Sequence, residues 1–120
     1  VLPAVTPGQL DQATADAVAD LQRPGAMEQA ITLPFGSFTG EQVMGLGVLD
    51  TFQHAWDLAT ATGQDTDLAP EMAAALLVQA ELHVAQTSRG PEPAPYGPIQ
   101  TAPTGASTAD QLAAFLGRTF

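Results

Sequence analysis

Apolar residues recur at helical spacing in four stretches of the chain, and turn-forming residues separate them. Leu10, Ala13, Thr14, Ala17, Val18 and Leu21 lie three and four apart, which predicts an amphipathic helix over about residues 7–22. Thr6-Pro7-Gly8-Gln9 marks its start: a threonine N-cap, a proline at the first helical position and a glutamine able to reach back to the cap. Arg23-Pro24-Gly25 stops it, because proline cannot continue the hydrogen-bond ladder and glycine suits the closing turn. Thr39-Gly40-Glu41-Gln42 repeats the capping arrangement and opens the longest helix, about residues 40–62, which Gly63 ends. A third helix, about residues 69–86, is led by Pro70-Glu71 with Asp67 or Ala69 before it. Its row EMAAALLVQAELHVAQ is apolar on most sides, which predicts deep burial. Thr108-Ala109-Asp110-Gln111 caps a last helix, about residues 108–117, carrying Leu112, Phe115 and Leu116.

Two segments break the helical pattern. Ile31 to Phe38 sets β-type residues around Pro34 and Gly36 and reads as a short strand or extended pair near residues 30–38, with a plain loop as the alternative. Arg89 to Gly105 is rich in proline and glycine, with GPEPAPYGP at its centre. Polyproline or irregular backbone is expected there, crossing the surface as a tether to the last helix. The expectation is a mainly α single domain over residues 1–120, with one β-like segment and no internal repeat.

Composition narrows the function classes. Hydrophobic residues make up 45% of the chain and charged ones 13%, which excludes a disordered acidic tail. No run reaches the roughly 18 apolar residues of a membrane span, and no basic-plus-apolar leader pattern is present, so a cytoplasmic protein is expected. Thirteen acids stand against Arg23, Arg89 and Arg118 with no lysine, a net charge of −10. No basic patch can be assembled from these, which argues against nucleic acid and against an anionic membrane surface. There is no cysteine, hence no disulfide, no thiolate zinc site and no thiol nucleophile; a thiol in the chemistry must arrive as a ligand. The chain begins at Val1, which reads as a processed or trimmed start or the later part of something longer.

The second helix holds the candidate chemistry. In LDTFQHAWDLATAT, Asp50, His54 and Asp57 fall at i, i+4 and i+7, within one narrow stripe at about 100° per residue. Val48, Phe52, Trp56 and Ala59 gather on the opposite side, with Leu49 and Gly45 beside them, as the core face. The polar stripe is flanked by Val43, Leu46 and Leu58 rather than by solvated charge, so cover on a second side is expected. A carboxylate and an imidazole one turn apart place two donors over one spot, half of a divalent-metal site, and Asp57 could bind too or orient the imidazole. The spacing alone equally describes a histidine hydrogen-bonded at a helix surface. His83, on the third helix, is a weaker ligand candidate and is expected to be half-buried.

Leu33-Pro34-Phe35-Gly36, the series Asp50, His54, Trp56, Asp57, Leu58, Ala59, then Ala61-Thr62-Gly63-Gln64-Asp65, Pro70-Glu71 and Ala114-Phe115-Leu116-Gly117-Arg118 keep an order and spacing seen elsewhere. Over about residues 10–120 the chain resembles the later half of the DinB-like, actinobacterial metal-binding proteins related to mycothiol-dependent maleylpyruvate isomerase. The resemblance implies a four-helix bundle with a divalent metal, usually zinc, held by an early histidine and a later acid-x-x-x-His pair. Asp50 and His54 occupy the positions of that pair. It also implies a metal-dependent transferase or isomerase using a low-molecular-weight thiol such as mycothiol, with the metal presenting it as a thiolate.

The family's early helices, with the first histidine, have no counterpart in these residues. The expectation is therefore an incomplete bundle, finished by a missing N-terminal half, a separate chain or a second copy in a dimer. The other function class is a non-catalytic binding or assembly module, with an apolar pocket lined by Phe35, Phe38 and Trp56.

Overall fold

The computed structural model describes residues 3–84, 89–91 and 94–120. It contains four helices and a two-stranded antiparallel sheet in the order α1 (Pro7–Leu21), β1 (Ala30–Leu33), β2 (Gly36–Thr39), α2 (Gly40–Ala61), α3 (Pro70–His83) and α4 (Thr108–Phe115). The protein is mainly α. None of the described helices is long and apolar enough to cross a membrane. The chain divides into two compact units, one reaching Val48 and the other Leu49–Phe120.

In the first unit, local hydrogen bonding sets the elements. Thr6 and Gln9 exchange the two bonds of a capping box at 2.9 and 3.2 Å, and Pro7 starts α1. No residue of α1 is buried, and Leu10, Val18 and Leu21 stand exposed. A helix of 15 residues without packing is marginal in water. β1 and β2 form a hairpin in which Ile31 faces Phe38 and Thr32 faces Ser37, turned by Pro34 and Phe35. The pleat places Ile31, Leu33 and Phe38 on the half-buried side and leaves Thr32 and Ser37 in solvent. Thr39 and Gln42 form a second reciprocal cap at 2.9 and 3.2 Å, joining the hairpin to α2. Gly40 lies so close to the Ala26 carbonyl that a Cβ would overlap it, so no larger residue fits. Gly40 and Glu41 donate to the Gln29 and Met27 carbonyls at 3.0 and 2.9 Å, which ties the start of α2 to the preceding turn.

The second unit holds the hydrophobic core. Leu49, Phe52 and Trp56 from α2 pack with Ala73, Leu76 and Ala80 from α3 and Ala109, Leu112, Ala113 and Leu116 from α4 and its end. Alanines line the facing sides of α3 and α4, so these helices approach closely, while the large residues of α2 fill the remaining space. Trp56 is buried, and its indole N–H donates to Asp110 Oδ1 at 2.8 Å. Asp110 also completes the α4 cap with Ser107, which sits one residue before the expected Thr108. Ser107 wins because its hydroxyl accepts from the Asp110 N–H at 3.1 Å while Asp110 returns a bond to its backbone.

Glycines in the left-handed region close two helices. Gly63 (φ 67°) follows α2, with Gln64 N–H reaching the Ala59 carbonyl at 2.9 Å. Gly117 (φ 94°) follows α4, and Arg118 N–H reaches the Ala113 carbonyl at 2.9 Å. Both are Schellman-type ends. Gly117 also meets the Gly97 backbone, where a Cβ would come within 2.7 Å. Arg89 clamps the same corner: its Nη1 donates to the Gly97 and Phe115 carbonyls at 3.1 and 2.6 Å, and its guanidinium lies 4.4 Å above the Phe115 ring.

Three expectations differ from the structure. Val48 is exposed at 38%, and the buried side of α2 turns instead through Leu49, Phe52, Gln53 and Trp56. α3 buries only Ala73, Leu76 and Ala80, while Met72, Val78 and Leu82 are exposed, because α2 and α4 cover one side of it and nothing described covers the rest. α3 ends at His83 with Val84 extended, short of the expected Gln86; residues 85–88 and part of the GPEPAPYGP segment lie outside the described residues.

The Gly117 geometry makes a direct prediction. Gly117→Ala introduces a strained φ and a clash with Gly97, and should lower stability by about 1–3 kcal/mol, measured by urea unfolding. Gly105→Ala, also at positive φ but with open space around it, should cost less.

Candidate functional site

The core contacts of Leu49, Phe52 and Trp56 turn the opposite face of α2 outward. Asp50 and His54 lie on that outer face one turn apart, with side chains 74% and 66% exposed. His54 Nε2 stands 3.4 Å from Asp50 Oδ1, and His54 Nδ1 stands 3.4 Å from Asp57 Oδ2. Both ring nitrogens thus face a carboxylate at a separation long for a hydrogen bond. The predicted stripe exists as one connected group. Leu58 beside it is 62% exposed, so the second cover expected for this helix is not provided by the described residues of this unit.

Asp57 has a further partner that sequence reasoning did not place here. Arg118 Nε and Nη2 donate to Asp57 Oδ1 and Oδ2 at 3.1 and 2.9 Å, a two-pronged pair joining residues 61 positions apart. The Arg118 hydrogen bonds hold the Asp57 carboxyl below the ordinary aspartate range, against the opposing effect of partial burial. Gln53, buried beside it, directs Nε2 at Asp57 Oδ1 from 3.4 Å. Phe120 packs edge-on against Trp56, 5.7 Å between centroids, so the chain end is anchored on both sides of Arg118. The sequence marked Arg118 as one of three arginines and as the end of the Ala114–Arg118 motif, but nothing in it pointed to Asp57 as its partner.

Tyr96 is a residue that the sequence did not single out. Burial raises the pKa of its phenol, and the negative charge of Asp50 adds to the rise. The other named residues lie elsewhere. Phe35 is exposed at the hairpin turn, and its ring is 5.6 Å from that of half-buried Phe38. Trp56 belongs to the core of the second unit, with its indole N–H engaged by Asp110. His83 is exposed rather than half-buried: it is the last residue of α3, beyond Ala80, the last buried residue of the helix.

The donor geometry can be tested against the zinc that the family resemblance implies. Two donors at about 2.0–2.1 Å from a tetrahedral ion stand roughly 3.3 Å apart. Asp50 Oδ1 and His54 Nε2 are 3.4 Å apart with solvent access, so they fit as two ligands of one ion. They fit as no more than two: among the described residues no three histidine, aspartate or glutamate side chains converge as a metal site. Asp57 is occupied by Arg118. A further donor has to come from another segment or another chain.

No protein-family model matches this sequence, and no solved structure does. The chain is 47% identical over 96 residues to Uncharacterized protein Rv0738 and to Uncharacterized protein MT0763, from two strains of Mycobacterium tuberculosis. The match takes in 80% of this chain and 52% of each relative, so the chain spans about half the length of the curated relatives it matches.

Asp110 yields a pH prediction. Burial raises its pKa, but hydrogen bonds from Trp56, Thr66 and Ser107 outweigh that and hold it below the ordinary aspartate range. Its folded value lies under the unfolded value of about 3.9, so its stabilising contribution is complete above that pH and is lost as pH falls through the lowered value. Asp110→Asn should therefore melt lower than the parent near neutral pH, and the gap should narrow below about pH 4. Thermal unfolding followed by circular dichroism across that range checks it.

Proposed function

We propose that the chain supplies the Asp50–His54 side of a divalent-metal site in a DinB-like helical bundle. In this reading the assembled protein is a metal-dependent transferase or isomerase working with a low-molecular-weight thiol of the mycothiol type. The observation that carries it is the 3.4 Å separation of Asp50 Oδ1 and His54 Nε2 on a solvent-facing stripe beside exposed Leu58. An ordinary wet face would surround such a pair with charge. Both curated relatives are mycobacterial, in keeping with the actinobacterial family that the motifs resemble.

Each residue has a defined part. Asp50 contributes an anionic oxygen and His54 a neutral nitrogen, while Asp57, held by Arg118, orients the imidazole. Zinc bound there would lower the pKa of an incoming thiol and present it as a thiolate at neutral pH. A cysteine-free chain suits this role, since no internal thiol competes for the ion. The missing donor comes from a segment outside these residues or from a second copy. A cytoplasmic setting fits, because small thiols stay reduced there.

A second reading has its own support. α1 has an exposed apolar stripe of Leu10, Val18 and Leu21 and buries nothing. A non-catalytic binding or assembly module that dimerises to complete the bundle would cover it.

The deciding experiment measures metal by elemental analysis in protein purified without a histidine tag, with mass by light scattering and an Asp50→Ala/His54→Ala variant alongside. About one zinc per chain or per dimer, lost in the variant, is the expected result. A dimer without metal, with the variant equally stable, supports the assembly module instead.

A further inference from the structure

We infer that Arg118 is a positioning residue that acts through Asp57 to hold His54 in the Nδ1–H tautomer, leaving Nε2 and Asp50 Oδ1 as paired acceptors. The inference deepens the proposed metal site and rests on that reading for its consequence, while the tautomer itself is set within this chain.

Asp57 lies between the Arg118 guanidinium and the His54 ring. In a neutral imidazole one nitrogen carries the proton and the other accepts. Asp57 Oδ2 lies 3.4 Å from Nδ1, and Asp50 Oδ1 lies 3.4 Å from Nε2, so the proton has two carboxylates to choose between. They are not equivalent. Asp50 is 74% exposed and has no side-chain partner other than His54 among the described residues, so its oxygen is free to swing into water. Asp57 is half as exposed, and the Arg118 fork takes both of its oxygens at 3.1 and 2.9 Å, which fixes the plane of the carboxylate. Gln53 steadies the same group from its buried side. The proton therefore has a stationary acceptor at Nδ1 and a mobile one at Nε2.

Arg118 is itself held in register. Gly117 makes the left-handed turn after α4, Arg118 N–H bonds the Ala113 carbonyl at 2.9 Å, and Phe120 beyond it rests on Trp56. With Nδ1 protonated, Nε2 turns its lone pair toward Asp50 Oδ1. Two acceptors facing each other at 3.4 Å repel unless a cation lies between them. A cation between them removes that repulsion, and without one the exposed Asp50 carboxylate turns toward water; a carboxylate behind the ligating histidine is what fixes tautomer and ring orientation.

The test reads the tautomer first and the metal second. Nitrogen-15 ring spectra of the metal-free protein, in a His83→Gln background and at a pH where an ordinary imidazole is neutral, report which His54 nitrogen carries the proton. The Nδ1–H form should predominate in the parent, and Arg118→Gln should shift the population toward Nε2–H. Zinc affinity, measured by competition with a chromophoric chelator, should fall about tenfold or more in the same variant. Phe120→Ala loosens the same chain end without removing the Asp57 pair and should leave the tautomer unchanged. If it matches Arg118→Gln, the effect is merely structural and the inference fails. An Nε2–H parent, or an Arg118→Gln protein with the parental tautomer, also overturns it. If Arg118→Gln does not fold, Arg118→Lys carries the same comparison. A shifted tautomer in protein that takes up no zinc keeps the positioning role and removes the metal reading. Zinc uptake with equal affinity in parent and Arg118→Gln does the reverse.

Discussion

The burial of one indole decides what α2 can present to solvent. Trp56 sits in the core with its N–H on Asp110, and that bond joins the C-terminal part of the longest helix to the first turn of the shortest. A buried indole N–H without an acceptor would be costly, so the packing of α2 and the capping of α4 are coupled through a single carboxylate. Once Trp56, Phe52 and Leu49 face inward, the helical repeat sends Asp50 and His54 outward. The candidate site is the geometric complement of the core.

A chain with three cations and thirteen acids places its positive charge sparingly, and two of the three arginines act at the end of α4. Arg89 binds carbonyls at the Gly97–Gly117 corner, and Arg118 grips Asp57. The close approach of two glycine backbones lets the chain turn there, and the turn delivers Arg118 to α2. The proline-rich crossing segment thus has a structural role through Gly97, whose backbone meets Gly117 and whose carbonyl accepts from Arg89.

Much of the local structure could be read from short patterns because the interactions themselves are short. Thr6 with Gln9 and Thr39 with Gln42 are three residues apart, and their reciprocal bonds follow from identity and spacing. The stripe of Asp50, His54 and Asp57 was legible for the same reason. Burial was less so. Val48 is exposed and Gln53 is buried because the indole and the facing alanines set which flank of the α2 core face turns inward. The apolar row of α3 suggested burial on most sides, yet hydropathy records only what a surface would favour, and the elements able to cover Met72, Val78 and Leu82 are not among those packed here.

By itself the sequence determined the starts of α1 and α2, the stops marked by glycine and proline, the absence of internal thiol chemistry and the alignment of three polar residues on one face. These depend on residue identity and on the helical repeat, both local. Only the tertiary structure decided that Asp57 belongs to Arg118, that Trp56 belongs to Asp110, and that His54 stands between an anchored carboxylate and a free one. The partners lie 61 and 54 positions apart, and no periodicity spans that distance. Such pairs form when folding brings distant segments within hydrogen-bond reach, and here the packing of α2 against α3 and α4 supplied it.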